Sequence, residues 1–367
     1  MYKRASLTAA VLFGWALSPQ IAAAGGSYTV ACGSGGATSL IQSQLAAIAG
    51  TTGNTLTVTG TCAGTLIISD FDQLTISGLT LSGDLLLADS RSVNFNGLTV
   101  TGTISVGESR DTKFNSTTVT GWVQAIQGSR VSFSQLTMNP GTDSSGALAE
   151  GFTCAGSSTC SLDGFTVRGT PSLAGSTPAP GVLAASASTL TLGSGTVTGF
   201  DIGVQAWNHA TALLLPSCAN LSISTNASIG VYVRDSGLVK AQGLGAAAAS
   251  SSCPGQISIA SNGQYGVLAE GAGNAYLYDV QISGHSTDGV LVQDGATAKV
   301  LSSTIDAASG TGRSARVRAQ SILWFDEEQN GPAARSVLHG PVCVIGNSYV
   351  DTNNSSTQFR TQQMCGS

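Results

Sequence analysis

The groups best able to move protons near neutral pH gather in one short segment, His285-Ser286-Thr287-Asp288-Gly289, where an imidazole precedes a carboxylate by three positions. Glycoside hydrolysis by such a carboxylate needs a second carboxyl close by, so that acid and base work can be divided. The next stretch of comparable character, Gly310-Thr311-Gly312-Arg313, supplies none. His285 and Asp288 are therefore weak catalytic candidates, and the expectation for Asp288 is a turn residue. A second set, Asp70, Asp89 and Glu108, recurs every nineteen residues, with Arg91 and Arg110 two places beyond the last two. Stacked carboxylates could share protons or hold a cation. The equivalent later positions are Gln127, Asn208, Asp235, Gly271 and Asp294, which are turn formers. The column thus reads as turns, with the arginines neutralising it. Neither an EF-hand nor a glycine-rich nonapeptide is present to bind calcium, and no metal or other cofactor is expected.

A third set faces a different chemistry. Alternation along Gly203-Val204-Gln205-Ala206, Gly230-Val231-Tyr232-Val233, Gly266-Val267-Leu268-Ala269 and Gly289-Val290-Leu291-Val292 buries the valines and alanines. It turns outward Gln205 with Trp207, Tyr232 with Arg234, Leu268 with Glu270, and Leu291 with Gln293. Rings beside hydrogen-bonding side chains suit a sugar chain, whose apolar faces stack while its hydroxyls need partners. The substrate-binding candidates are accordingly Gln205, Trp207, Tyr232, Arg234, Glu270 and Gln293. In the competing arrangement the loops 217–228 and 243–255 cover this face, and Arg234 with Glu270 is only a cross-strand pair.

The elements that must position these residues are set by a repeat. Leu74-Thr75-Ile76, Val93-Asn94-Phe95, Thr112-Lys113-Phe114 and Val131-Ser132-Phe133 follow one another at nineteen-residue intervals. An apolar column (Ile76, Phe95, Phe114, Phe133), a polar one (Ser77, Asn96, Asn115, Ser134) and a threonine one (Thr80, Thr99, Thr118, Thr137) result. A short fixed period of alternating residues is the mark of a solenoid whose coils stack like on like. Strands over 74–76, 79–82 and 85–87, with Leu74, Ile76, Leu79, Leu81, Leu85 and Leu87 inward, make a three-sided prism. Gly83, Gly102 and Gly121 mark its corners. The fold class is all-β, a parallel β-helix of three sheets and roughly ten coils, right-handed by chain twist. The segment 39–49 is the one good amphipathic helix, with Ile41, Leu45 and Ile48 on its stripe, and it should cap the open first coil. Past Pro140 the period loosens: Leu190-Thr191-Leu192 and Leu213-Leu214-Leu215 are 23 apart, as are Leu277 and Val300. The Gly-Val motif matches Trp122-Val123-Gln124-Ala125, so one sheet should continue throughout. Thr-x-Thr pairs on a flat sheet suit ice-binding solenoids, but threonine is also an ordinary solvent-facing strand residue.

Residues 1–24 read as a secretory signal: Lys3 and Arg4, then the apolar run from Leu7 to Leu17, then Ala22-Ala23-Ala24. Residues 25–55 form an N-terminal cap, 56–312 the β-helix, and 313–367 a C-terminal coil and cap. The expected location is secreted, periplasmic or cell-surface, with no membrane-spanning segment. Eight cysteines in an exported chain predict four disulfides. Near-neighbour pairing gives Cys32–Cys62, Cys154–Cys160, Cys218–Cys253 and Cys343–Cys365. Zinc is disfavoured, since no CxxC occurs and His209, His285 and His339 are scattered. Charged residues are only 10% of the chain and the net charge is −5, with no basic run, which excludes nucleic acid as the expected partner.

Val30-Ala31-Cys32-Gly33, the helix, Leu56-Thr57-Val58-Thr59-Gly60-Thr61-Cys62 and Leu74-Thr75-Ile76-Ser77-Gly78 resemble the opening of secreted bacterial right-handed parallel β-helix proteins of the pectin-lyase-like group. That group holds lyases, hydrolases, epimerases and adhesins, so the resemblance implies a fold rather than an activity. The segment 285–289 also resembles the Asn-Thr-Asp-Gly of polygalacturonases, where an aspartate before the glycine serves in hydrolysis. The Asp-Asp pair, Gly-His-Gly and Arg-Ile-Lys that this family implies are missing. The resulting expectation is an exported protein without catalytic activity that meets an extended polysaccharide or another cell-surface polymer along its long sheet. A carbohydrate-active enzyme (a polysaccharide lyase or glycosidase) with an atypical site, and a structural or adhesive surface protein, are the competing readings.

Overall fold

Apolar residues at every second position, repeated each coil, leave a strand only one way to satisfy both its side chains and its backbone. The apolar row turns into a shared core, and the backbone pairs with the coils above and below. The computed structural model has this arrangement, and it describes residues 25–141, 150–170, 178–244, 255–307, 312–326, 336–351 and 362–363. Among them, thirteen strands form one sheet and twenty-two a second. The second sheet covers two faces of the prism, because strands such as Asn54–Ala63, Thr112–Val119 and Arg130–Met138 run through the corner between them. Pairing is parallel throughout.

The register follows the sequence columns. Ile76 lies opposite Phe95, Phe95 opposite Phe114 and Phe114 opposite Phe133. Their rings stack inside the prism, with centroids 4.7 Å apart for Phe95–Phe114 and 4.4 Å for Phe114–Phe133. All six inward positions expected in the coil at Leu74 are buried, as are Val93, Leu98, Val100, Ile104 and Val106 in the next. The threonine column is longer than the repeat suggested, running Thr61, Thr80, Thr99, Thr118, Thr137, Thr166, Thr196. At the Gly83 corner the requirement is close stacking as much as turn geometry. A Cβ on Gly102 would lie 2.6 Å from the Gly83 carbonyl oxygen, and one on Gly121 would lie 2.3 Å from that of Gly102.

Two buried polar ladders hold other corners. Ser90 Oγ accepts from Phe71 N, Ser109 Oγ from Ser90 N, Ser129 Oγ from Ser109 N and Ser158 Oγ from Ser129 N. Inside the second half, Asn226 Nδ2 donates to Asn262 Oδ1 at 2.8 Å, and Asn262 Nδ2 donates to the Ile223 carbonyl. The turn column is as expected. Asp70, Asp89, Glu108, Gln127, Asn208, Asp235, Gly271 and Asp294 all have φ between 47° and 62°, the left-handed region that Asp, Asn and Gly tolerate best.

The helix Ser39–Ile48 buries Ile41, Leu45 and Ile48 at the end of the prism, beside the strand Ser27–Ala37, which pairs with Asn54–Ala63. Cys32–Cys62 and Cys154–Cys160 are bonded as expected. Cys218 and Cys343 are disulfide-bonded too; their expected partners, Cys253 and Cys365, lie outside the described residues, as does the signal segment. One spacing differs from the expectation. Thr191 and Leu192 pair with Leu213 and Leu214, so this coil is 22 residues long and Leu215 is exposed. Beyond residue 312 the sheets continue through Arg313–Val317 and Ile322–Asp326, within the segment expected to hold a C-terminal coil and cap.

Candidate functional site

The Gly-Val strands lie in the thirteen-stranded sheet. Val123 is connected through Phe152 and Val182 to Val204, and from there to Val231, Val267, Val290 and Ala315. With those residues inward, two columns stand on the outer surface. One is Leu183, Gln205, Tyr232, Leu268, Leu291 and Arg316. The other begins with Ala185, Trp207 and Arg234 and continues, one residue past each later strand, through Glu270, Gln293 and Arg318.

The second column is a connected chain. Trp207 is 38% exposed, and its Nε1 donates to Asp235 Oδ2 at 2.7 Å. The Arg234 guanidinium lies 4.7 Å from the Trp207 ring centroid and 5.5 Å from that of Tyr232. Tyr232 donates its hydroxyl proton to Glu270 Oε1. Gln293 Nε2 donates to Glu270 Oε2 at 2.6 Å, and Arg318 Nε donates to Gln293 Oε1 at 2.7 Å. Five of the six expected binding residues are therefore brought together. Gln205 departs from the expectation, since it points outward yet is only 5% exposed. Gln293, Leu268 and Leu291 are buried as well, and Leu268 and Leu291 form a second apolar cluster with Ile202 and Ile229 outside the prism wall. Alternation told which way these side chains point, but not that they pack against one another there. Arg234 stands beside Glu270 in the column, but its guanidinium sits over the two rings, 3.8 Å from Asp235.

His285 is removed from the site altogether. It is fully buried inside the prism, with Nδ1 3.1 Å from the Asn262 carbonyl oxygen and Nε2 3.1 Å from that of Ile259, so it ends the Asn226–Asn262 ladder. Burial holds its pKa below the ordinary histidine value, against two backbone hydrogen bonds that favour the charged form. Nothing bound on the outer surface can reach it. Asp288 is not a turn residue. It opens the strand Asp288–Val292 with its side chain fully buried, 2.6 Å from Arg316 and 3.6 Å from Arg313. Burial raises its pKa, and the two guanidinium groups oppose that shift.

Burial, then the hydrogen bond to the Glu270 carboxylate, pushes the Tyr232 hydroxyl well above the ordinary phenol range. Both Glu270 oxygens accept hydrogen bonds. Among the described residues no three His, Cys, Asp or Glu side chains are grouped so as to hold a metal ion. Asp235 and Arg318 join this cluster through Trp207 and Gln293, and Arg316 through Asp288, none of them among the candidates that the alternation names. The signal was present: Ala315-Arg316-Val317-Arg318 repeats the alternation of Val290-Leu291-Val292-Gln293.

No protein-family model and no curated protein matches this chain. Among solved structures, the periplasmic alginate epimerase AlgG is similar at 12% identity and a TM-score of 0.42, covering 82% of this chain and 74% of its own. The A-module of the mannuronan C-5 epimerase AlgE4 of Azotobacter vinelandii is similar at 15% identity and a TM-score of 0.42, covering 92% of this chain and 100% of its own. The Dettilon tailspike protein is similar at 9% identity and a TM-score of 0.31, covering 88% of this chain and 68% of its own. Likeness this loose transfers no residue roles.

Proposed function

We propose that this protein binds an extended polysaccharide along the outer surface of its thirteen-stranded sheet, without chemically altering it. The observation that carries this reading is the row Trp207, Arg234, Tyr232, Glu270, Gln293 and Arg318. It crosses five adjacent strands, with each side chain held by the next. At about 4.8 Å per coil the row is roughly 19 Å long and parallel to the prism axis, the shape a linear chain of sugars would occupy. The ring of Trp207 at one end and the exposed Arg318 at the other are held in place by the half-buried Tyr232 and Glu270 and the buried Gln293 between them. They therefore need little reordering on binding, which favours affinity. The disulfides Cys32–Cys62 and Cys154–Cys160 support an oxidising location, periplasmic or extracellular. Among the described residues no helix is long and apolar enough to cross a membrane. The opening residues' resemblance to the pectin-lyase-like group remains part of the same reading.

The test is binding of the purified protein to a panel of soluble polysaccharides, followed by Trp207→Ala and Tyr232→Ala against whichever binds. Each variant should lose about 1 kcal/mol or more, roughly fivefold in Kd, while remaining folded. Normal binding by both variants refutes the site. Release of reducing or unsaturated ends from any of these polymers refutes the absence of catalysis.

A further inference from the structure

We propose that Arg91, Arg110 and Arg130 form a second, anion-selective site, a ladder at the edge of the thirteen-stranded sheet that holds the charged groups of an acidic polysaccharide. The proposal rests on the polysaccharide reading for the nature of its ligand; its place and charge selectivity are independent of it.

The three arginines occupy equivalent places in successive coils. Arg91 N donates to the Phe71 carbonyl, Arg110 N to that of Ser90 and Arg130 N to that of Ser109, so one backbone ladder carries all three. Their α-carbons therefore repeat at the coil spacing, about 4.8 Å. Arg130 lies twenty residues past Arg110 while Val131 pairs with Thr112 only nineteen back, and the one-residue offset is taken up at Asp111 and Gly128, whose φ values are 56° and 73°. Stacking like charges in register is unfavourable unless something neutralises them. This chain has only fifteen Lys and Arg in 367 residues and still places three of them in one column, which Asp72 precedes one coil before Arg91. The carboxylates that the sequence offered as neutralisers do not take that role. Asp89 and Glu108 sit in the left-handed turns, and the one ion pair made by these arginines among the described residues is Arg130 with Asp111, at 3.1 Å.

The arginines line a groove of about 570 Å³ together with Asp111, whose charge Arg130 neutralises, and Ser157 and Thr159 continue its far end. Beneath it run the buried serines Ser90, Ser109 and Ser129, each hydrogen-bonded to the next coil, so the floor is fixed before any ligand arrives. A planar guanidinium grips carboxylate or sulfate through paired hydrogen bonds, and three in a line match a polymer bearing one anion on successive units. The same edge leads to the ring site. The column continues through Thr159, Thr189 and Thr211, the last just past the Trp207 turn. The strand Ile202–Trp207 is three places along the sheet from Val123–Ile126, roughly 14 Å. One chain can therefore lie on both sites.

The experiment measures affinity for polygalacturonate oligomers and for neutral dextran, at low and high salt, with wild type, the double variant Arg91→Gln/Arg110→Gln, and Trp207→Ala. Both arginines are exposed, so the double variant should fold, and thermal unfolding checks it. The expected result is a loss on the order of tenfold or more for polygalacturonate at low salt, no change for dextran, and a flatter salt dependence for the double variant. Unchanged affinity of the double variant overturns the proposal, as does failure of wild type to bind polygalacturonate or an equal loss on dextran. A normal Trp207→Ala beside a weakened double variant removes the sheet site and leaves the ladder standing. The reverse pattern removes the ladder alone.

Discussion

Replacing Tyr232 by Phe deletes one oxygen from the candidate site and leaves its packing in place, so it isolates the hydrogen bond to Glu270. A neutral donor to an ionised acceptor contributes about 1.5–3 kcal/mol, and because both partners are only half-buried, water can replace part of it. The lower end, about 1.5 kcal/mol of stability at pH 7, is the expected cost. The raised pKa of Tyr232 adds a pH signature with a definite sign. Above about pH 10 the phenol ionises in the unfolded chain but not in the folded one. The unfolded state then binds fewer protons, and wild-type stability falls by about 1.4 kcal/mol per pH unit relative to a chain without that group. Tyr232→Phe lacks the group, so the wild-type advantage present below pH 10 should shrink and vanish near pH 11. The assay is urea unfolding of both proteins at pH 7, 9, 10 and 11; effects of the other tyrosines cancel in the difference. A difference that stays constant from pH 9 to 11 refutes the coupling between Tyr232 and Glu270. No difference at pH 7 would mean that the hydroxyl is replaced by water at no cost.

Two further outcomes test the core behind the site. Phe114→Ala should cost about 4 kcal/mol or more, since it empties a fully buried position and breaks two ring stacks, whereas Phe95→Ala breaks one; denaturant unfolding of the two variants and their double gives the coupling, about 1 kcal/mol. His285 is held neutral, so wild type should lose stability as pH falls below about 6.5, where the unfolded chain takes up a proton that the folded chain resists. His285→Asn should flatten that loss, and an equally steep decline in the variant would place the acid sensitivity elsewhere.

What could be read from the sequence and what could not divide along a physical line. A column is legible when each coil must present the same side chain at the same height, because stacking rewards identity: Phe95, Phe114 and Phe133 declared their register through a constant interval. The row Trp207, Arg234, Glu270 and Gln293 was legible for a related reason. The inward Val and Ala of each strand fix which neighbours face out, even when coil lengths differ. Three leucines in a row erased that information at Leu213-Leu214-Leu215, where any of three registers buries a leucine; the structure buries Ala212 and Leu214. Asn226, Asn262 and His285 hid their ladder differently. They are 36 and 23 residues apart, so no single period links them, and an imidazole standing where asparagine would continue the column looks like chemistry until its two carbonyl contacts are seen. The outward apolar cluster of Ile202, Ile229, Leu268 and Leu291 shows the remaining gap. Alternation assigns a direction to a side chain, whereas burial depends on what packs beside it. A recognition surface is built from that second quantity, so its members can be named from sequence before their exposure is known. That is why Trp207 and Tyr232 keep their place as contacts in the proposed site, while Gln293 only supports it from beneath and Gln205 drops out.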